Sequence, residues 1–248
     1  MDGEKIWQLL RNSKKCIAFT GAGVSTLSGI PDFRGKNGLY RKDWHGLPLE
    51  TVLSIDFFRQ NPEPFYQWAT DFVYRTEDFQ PNIVHTTLGK LEKLGILKAL
   101  YTQNIDNLHQ RGGSVKCYEL HGGASHHHCL NCHAAYSYDE IAPVAMQGKV
   151  PICKICGGVI KPDIVFYGEQ LPEDVWGQAE IDFSDADTVL VLGSSLTVYP
   201  AAYLPEMALR HGAKIILVNA SATHLDDHAA ILERDLKEVF DAVSAFIE

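Results

Sequence analysis

Four of the chain's six cysteines stand as two Cys-x-x-Cys pairs, Cys129 with Cys132 and Cys153 with Cys156, twenty residues apart. Each pair makes a tight knuckle that presents two thiolates, and the intervening loop has to bring the knuckles together. Four soft thiolates in a tetrahedron suit Zn²⁺ and fill its coordination shell, so the expected site is structural and not catalytic. An iron–sulfur cluster also takes four thiolates, and a redox dithiol needs only one pair. The spacing and the glycines Gly157-Gly158 after the second pair favour zinc. The run His126-His127-His128 and His133 read as solvent-exposed loop residues beside the first knuckle. Cys16 and Cys117 read as small apolar side chains without a role.

A zinc module of that size occupies a fraction of the 248 residues, a length that predicts between one and two domains. The net charge of −9 argues against a whole-surface affinity for nucleic acid or anionic membrane. No apolar run approaches the roughly 18 residues that span a bilayer. The first residues, Met1-Asp2-Gly3-Glu4-Lys5, carry acids and lead into an amphipathic segment, not an apolar signal core. The expectation is a soluble cytoplasmic protein.

Short apolar runs alternate with helical patterns. Cys16–Thr20, Leu97–Thr102, Val115–Leu120, Thr188–Leu192 and Lys214–Val218 read as strands, with Ile164–Tyr167 as another. Helices are expected before Cys16 on the face Ile6, Leu9, Leu10; over Val84, Leu88, Leu91 with Gly95 as its stop; over Ala202–His211; and after Asp235, carrying Val239, Phe240, Val243 and Phe246. Such alternation predicts an α/β fold, a mainly parallel sheet covered by helices on both faces. Residues 34–80 and 123–163 break the pattern and read as insertions that form a smaller module.

After the first strand, Gly21-Ala22-Gly23-Val24-Ser25-Thr26 is a glycine turn expected to open a helix and hold a pyrophosphate at its N-terminus. Thr26 stands where a dehydrogenase fingerprint wants glycine, which counts against hydride transfer. Further polar clusters fall where strands should end: Gln103-Asn104-Ile105-Asp106, His121-Gly122, Gly193-Ser194-Ser195 and Asn219-Ala220-Ser221. In open α/β sheets ligands bind outside the carboxyl ends of the strands, so these clusters describe one crevice.

Together with Ile30-Pro31-Asp32-Phe33-Arg34 and Leu120-His121-Gly122, these motifs resemble the sirtuins, NAD-dependent protein-lysine deacylases, in order from about residue 12 to 240. The resemblance implies a Rossmann-like NAD-binding domain over 1–33, 81–122 and 164–248. It implies a small domain over 34–80 and 123–163, made of a cofactor loop with helical module and a zinc ribbon. It also implies that NAD is consumed. The amide oxygen of acetyl-lysine attacks C1′ of the nicotinamide ribose, nicotinamide leaves, and His121 acts as the base for the ribose hydroxyl that then attacks the amidate. Asn104 and Asp106 are implied as catalytic neighbours that hold the ribose and carboxamide, with Ile105 and Phe33 lining the nicotinamide pocket. Gly21, Ala22, Gly23, Ser25, Thr26, Asp32 and Arg34 match the cofactor loop. Gln103, Gly193, Ser194, Ser195, Asn219, Ser221, Asp235 and Leu236 match the rest of the NAD site, the last two near the adenine. An acetyl-lysine peptide is implied to pair its backbone between Val165, Phe166, Gly168 and Glu169 on one side and Leu196 and Val198 on the other.

The chain departs from the family's usual Phe-Phe-Gly-Glu with Phe166-Tyr167-Gly168-Glu169, and from Gly-Thr-Ser with Gly193-Ser194-Ser195. Tyr66-Gln67-Trp68-Ala69 lacks the arginine of members that take succinyl or malonyl groups, so acetyl or longer apolar acyl groups are expected. Two other readings are protein mono-ADP-ribosylation and a non-catalytic zinc-ribbon module for nucleotide or nucleic acid. The acidic balance and the absence of a Lys/Arg run near the cysteines disfavour direct nucleic-acid binding.

Overall fold

The structure, a computed structural model, describes residues 3–36 and 38–247; Met1, Asp2, Asn37 and Glu248, which fall inside the expected segments, lie outside the described residues. Its strands are β1 (Cys16–Thr20), β2 (Leu97–Thr102), β3 (Cys117–Glu119), β4 (Gly122–Cys129), β5 (Ala135–Ser137), β6 (Ile160–Ile164), β7 (Thr188–Leu192), β8 (Lys214–Val218) and β9 (Ile231–Glu233). Its helices are α1 (Gly3–Asn12), α2 (Leu49–Val52), α3 (Ile55–Gln60), α4 (Glu63–Phe72), α5 (Ile83–Lys93), α6 (Leu108–Arg111), α7 (Tyr138–Ala145), α8 (Glu173–Asp185), α9 (Tyr203–Arg210) and α10 (Leu236–Ser244).

Six strands form one sheet in the order β3-β2-β1-β7-β8-β9, every neighbouring pair parallel. The continuous apolar runs follow from burial on both faces: every residue of β1 and of β7 is buried. Side chains alternate across β1, so Ile17 and Phe19 join one layer and Cys16 and Ala18 the other. The first layer packs on α8 and α9 through Phe183 and Leu204, the second on α1, α5 and α10 through Leu10, Leu88 and Phe240. Among the described residues no helix is long and apolar enough to cross a membrane.

A second sheet, β5-β4-β6, is antiparallel and carries the cysteines at its ends. Its core is aromatic: Phe58, Phe65 and Phe166 lie with ring centroids 4.8 to 5.4 Å apart, and Tyr66 and Trp68 pack beside them.

Four expectations need correcting. Val115 is 86% exposed and only Cys117–Glu119 forms strand β3, because the run meets the sheet at its edge. The strand expected at Ile164–Tyr167 is β6, earlier in sequence and paired with β4, so it belongs to the small sheet. The histidine run is not a loop but the end of β4, where alternation buries His127 completely and leaves His126 exposed. The glycine turn opens no α-helix; Ala22–Ser28 is 3₁₀-helical. Nothing in the pattern announces the short edge strand β9.

Candidate active site

The order of the sheet reverses between β1 and β7, and that switch point is where open α/β sheets form their crevice. Gly21 and Gly23 sit here because the turn after β7 leaves no space for a side chain. A Cβ on Gly21 would lie 2.8 Å from the Gly193 carbonyl oxygen, and one on Gly23 would lie 2.8 Å from the Gly193 Cα. Gly193 itself adopts φ +59°, the left-handed region that favours glycine. The glycines are therefore demanded by strand-end packing, beyond any approach to a phosphate.

Polar groups converge around this point. Ser25 Oγ donates to Asp106 Oδ2 at 2.5 Å and accepts from Asn104 Nδ2 at 3.2 Å, and Asn104 Nδ2 also donates to the Gly21 carbonyl. Asp106 Oδ1 accepts from the Leu108 amide. Burial raises the Asp106 carboxyl above its ordinary value, and the bond from Ser25 works against that rise. Asn104, Asp106 and Ser25 are all buried. Beneath them Thr20 Oγ1 donates to Thr102 Oγ1, which in turn accepts from the Asn104 amide, and His109 Nε2 meets Thr20 at 2.9 Å. The sequence carries no sign of this support, since threonine in a strand reads as packing.

His121 follows β3. Its Nδ1 lies 3.0 Å from the Gln103 carbonyl oxygen, which only accepts, so Nδ1 carries the proton and Nε2 keeps its lone pair. Burial lowers its pKa, which keeps the ring neutral and in the form that takes up a proton. Gln103 Oε1 accepts from Ser194 Oγ at 2.7 Å, tying the turns after β2 and β7 together. The neighbouring Gly122 has φ +63°, and a Cβ there would lie 1.9 Å from the Asp163 carbonyl oxygen. The position that joins the two sheets therefore accepts only glycine.

On the far side of the switch point, Asn219 Nδ2 donates to the Ser221 carbonyl at 2.8 Å. Arg234, not anticipated from the sequence, holds this loop by donating to the carbonyls of Asn219 and Ser221. Asp235 caps α10 by accepting from the Glu238 amide, and Leu236 is half-buried behind it. In the loop after the glycine turn, Thr26 Oγ1 donates to the Gly23 carbonyl, Ala22 is half-buried, and Asp32 Oδ1 accepts from the Gly35 amide. Phe33 and Ile105 lie on the edge of the aromatic core.

Of the expected peptide segments, Val165 and Phe166 run on from β6, and the Val165 amide donates to the His121 carbonyl at 2.8 Å. Phe166 is a core residue. Glu169 Oε2 accepts from the Phe166 amide and pairs with the buried Lys161 Nζ, both at 2.8 Å, while Gly168 turns the chain at φ +92°. The other segment is bent: Leu196 has φ +54° and buries its side chain, while Ser195 stays half-buried and Val198 leads into the turn before α9.

The Sγ atoms of Cys129, Cys132, Cys153 and Cys156 all lie within 4.8 Å of one another. Four sulfurs on one tetrahedral zinc at ~2.3 Å stand about 3.8 Å apart. Backbone amides of Asn131 and Ile155 donate to Cys129 and Cys153. The Tyr136 hydroxyl donates to Cys153 and pulls that thiol down to about 6. Cys16 is completely buried, which pushes its thiol up to about 12 and leaves it inert.

Comparison with known proteins gives one result throughout. The Sir2 family model matches residues 21–200. An NAD-dependent protein deacetylase of Thermotoga maritima is 43% identical over 93% of this chain and 92% of its own length. NAD-dependent protein deacylase 2 of Archaeoglobus fulgidus is 43% identical over 90% of this chain and 86% of its own. A Sir2 structure with deacetylated p53 peptide and 3′-O-acetyl-ADP-ribose superposes with a TM-score of 0.92 at 41% identity, covering 99% of this chain and 98% of that one. A Sir2 structure bound to a propionylated peptide superposes at 0.89 with 39% identity, covering 100% of both chains.

Proposed function

The chain belongs to the Sir2 family, and from that premise we propose how its residues carry out NAD-dependent protein deacetylation. The observation that carries the proposal is His121, neutral, with Nδ1–H given to Gln103 and a free Nε2, beside the buried Ser25, Asn104 and Asp106 at the switch point. NAD lies across that point. Its adenosine rests near Asn219, Ser221, Asp235 and Leu236, and its phosphates lie near Ala22, Thr26 and Arg34. The nicotinamide end lies by Phe33, Ile105, Asn104 and Asp106, with Asp32 shaping the loop over it. Acetyl-lysine enters beside Val165 and Phe166, its peptide backbone pairing with that extended segment and with the turn at Leu196 and Val198. The acetyl oxygen attacks C1′ and nicotinamide departs. His121 Nε2 then removes the proton of a ribose hydroxyl, which attacks the amidate carbon. The protonated His121 returns its proton as the lysine amine leaves, water adds to the carbon so exposed, and the bond from that carbon to the C1′ oxygen breaks. The products are free lysine, nicotinamide and O-acetyl-ADP-ribose, with the former amide oxygen left on C1′.

The four cysteines hold a structural Zn²⁺, a reading supported by four sulfur donors at the spacing of a tetrahedron. The proposed division is a NAD-binding domain over 1–33, 81–122 and 164–248 with a small domain over 34–80 and 123–163. Acetyl-lysine proteins are the partners, and the net charge of −9 supports no direct nucleic-acid partner. Free thiols grouped for a metal suit the reducing cytoplasm.

The test is to follow nicotinamide, deacetylated peptide and acetylated ADP-ribose by mass after mixing protein, NAD and acetyl-peptide. His121→Ala should remove at least about 99% of turnover, the weight of a positioned general base, and Cys117→Ala should not. Label from NAD appearing on protein in place of the acyl group would point instead to ADP-ribosyl transfer. Undiminished turnover in His121→Ala would overturn the mechanism.

A further inference from the structure

Tyr167 interrupts the family's usual phenylalanine with a hydroxyl, and that hydroxyl has partners. Its main chain is fixed against the small module: the Tyr167 amide donates to the Leu53 carbonyl at 2.9 Å, and the Tyr167 carbonyl accepts from the Ile55 amide at 3.0 Å. From that anchored backbone its side chain reaches the loop after the glycine turn. The Tyr167 hydroxyl lies 2.8 Å from the Tyr40 hydroxyl and accepts from Arg34 Nη2 at 3.3 Å. The Arg34 guanidinium carbon sits 4.7 Å over the Tyr40 ring. Tyr40 in turn packs on Phe33 with centroids 5.0 Å apart, and its amide donates to the Phe33 carbonyl. A continuous path therefore runs from the extended segment that follows β6 to the aromatic ring placed against nicotinamide.

Phenylalanine at position 167 would fill the same volume but leave Tyr40 and Arg34 without that oxygen. Among the described residues of this loop, 32–36 and 38–40, the other polar bonds are short-range ones such as the Leu39 amide to the Asp32 carbonyl and Arg41 Nε to the Gly35 carbonyl, while Phe33, Leu39 and Tyr40 pack against the aromatic core. The Arg34–Glu50 pair at 3.9 Å is half-exposed and adds little hold. The Tyr167 hydroxyl is thus a polar tie between the loop over NAD and the segment beside the peptide.

We propose that the Tyr167 hydroxyl is a positioning group that fastens the cofactor loop, through Tyr40 and Arg34, to the peptide-binding segment, so that acyl-lysine binding and enclosure of the nicotinamide ribose are coupled. This rests on the deacetylase reading above and adds to it a side-chain hydroxyl that acts through Tyr40 and Arg34. When the peptide pairs with Val165 and Phe166, the segment stiffens. Because Tyr167 lies one residue beyond, its hydroxyl stays in register with Tyr40, and Phe33 stays over the nicotinamide pocket.

The experiment compares wild type, Tyr167→Phe, Tyr40→Phe and the double variant as full chains, measuring NAD KM and kcat at saturating acetyl-peptide. Peptide Kd without NAD and melting temperature are measured alongside. Tyr167→Phe should raise NAD KM about three- to tenfold, the size of one to two exposed hydrogen bonds. Peptide Kd and melting temperature should stay within about twofold and about 2 °C, as expected of a change at a partly exposed hydroxyl. The double variant should be no worse than Tyr167→Phe alone, because both remove the same bond. An unchanged NAD KM in Tyr167→Phe, or additive effects in the double variant, overturns the coupling while leaving the deacetylase reading intact. A weakened peptide Kd without NAD overturns it too, by showing a defect in the segment itself. Wild type that releases no nicotinamide with acetyl-peptide overturns both.

Discussion

The two sheets of this molecule are held by different means. In the parallel sheet, β1, β7 and β8 are sandwiched between helices, and two apolar layers built from alternate side chains of the same strands do the holding. In the antiparallel sheet, β5 has three residues and β4 is largely polar, so packing has to be supplemented. The Tyr66 hydroxyl donates to the Ile160 carbonyl at 2.6 Å, Tyr74 meets buried His127 at 2.9 Å, and four cysteines converge at one end. One region rests on two apolar layers, the other on one aromatic core to which specific polar bonds are added. The difference teaches that the small module is where a single missing partner should do the most damage.

Metal removal should break the comparison most visibly. A structural zinc site supplies on the order of 10 kcal/mol to a small fold, and a sheet with two apolar layers needs none of it. Chelation, or Cys153→Ser, should abolish amide protection across 123–163 and stop deacetylation, while β1, β7 and β8 keep theirs. Hydrogen exchange read by mass gives the answer directly. Protection lost equally from both sheets would show that they stand or fall together. Protection retained in β4 and β6 would show that the aromatic core suffices.

Acid should reach both regions through buried histidines: burial lowers His127 in the small sheet to about 4, and two more lie in the parallel domain. His85 on α5 and His109 on α6 are completely buried, with ring centroids 4.7 Å apart. Burial lowers His85 to about 4 and His109 well below its ordinary value. Their unfolded-state value is 6.5, so as pH falls below that the unfolded chain binds protons that the folded protein refuses. The stability they permit is complete above 6.5 and is lost toward 4, by about 1.4 kcal/mol per pH unit for each ring. Unfolding free energies from urea titrations between about pH 6.5 and about pH 5 should fall with pH, and His85→Gln should remove roughly half of the part that this pair contributes. An unchanged slope in that variant would mean the pair is not what limits acid stability.

How far the molecule is legible in its sequence follows the same division. Thr188–Leu192 and Lys214–Val218 announce themselves because burial on both faces forbids polar interruption. The cysteines announce themselves because ligand spacing is local. His127 does not: three histidines in a row carry no period, and only pairing with β5 and β6 reveals which one points inward. The same holds at the site. Gln103, Asn104, Asp106 and His121 follow strands β2 and β3, where position alone marks them as candidates. Thr20 and His109 support them through a contact that spans 89 residues of sequence, and Arg234 holds the separate Asn219 loop from 15 residues away, which no local pattern encodes.

The smallest effect concerns the acyl group, which on this reading meets the small module while NAD meets the large sheet. Ala69 is completely buried on α4, and Tyr66 beside it has given its hydroxyl to the Ile160 carbonyl. Lys161, the buried cation nearest the aromatic core, lies 4.1 Å over the Phe166 ring and is already neutralised by Glu169, with the carbonyls of Pro162 and Ile164 as further acceptors. A succinyl carboxylate would thus enter an apolar environment with no free partner, at a cost of a few kcal/mol. Acetyl- and propionyl-peptides should turn over within about tenfold of each other, since one methylene is worth roughly 1 kcal/mol. Succinyl-peptide should be slower than acetyl-peptide by at least about tenfold in kcat/KM, with NAD KM unaltered. The contrast is sharpest if the acyl series moves only the peptide parameters, for then the two regions divide recognition as they divide stability. A succinyl rate above the acetyl rate would mean that Lys161 leaves Glu169 to meet the substrate, and that the small module is held more loosely than its hydrogen bonds imply.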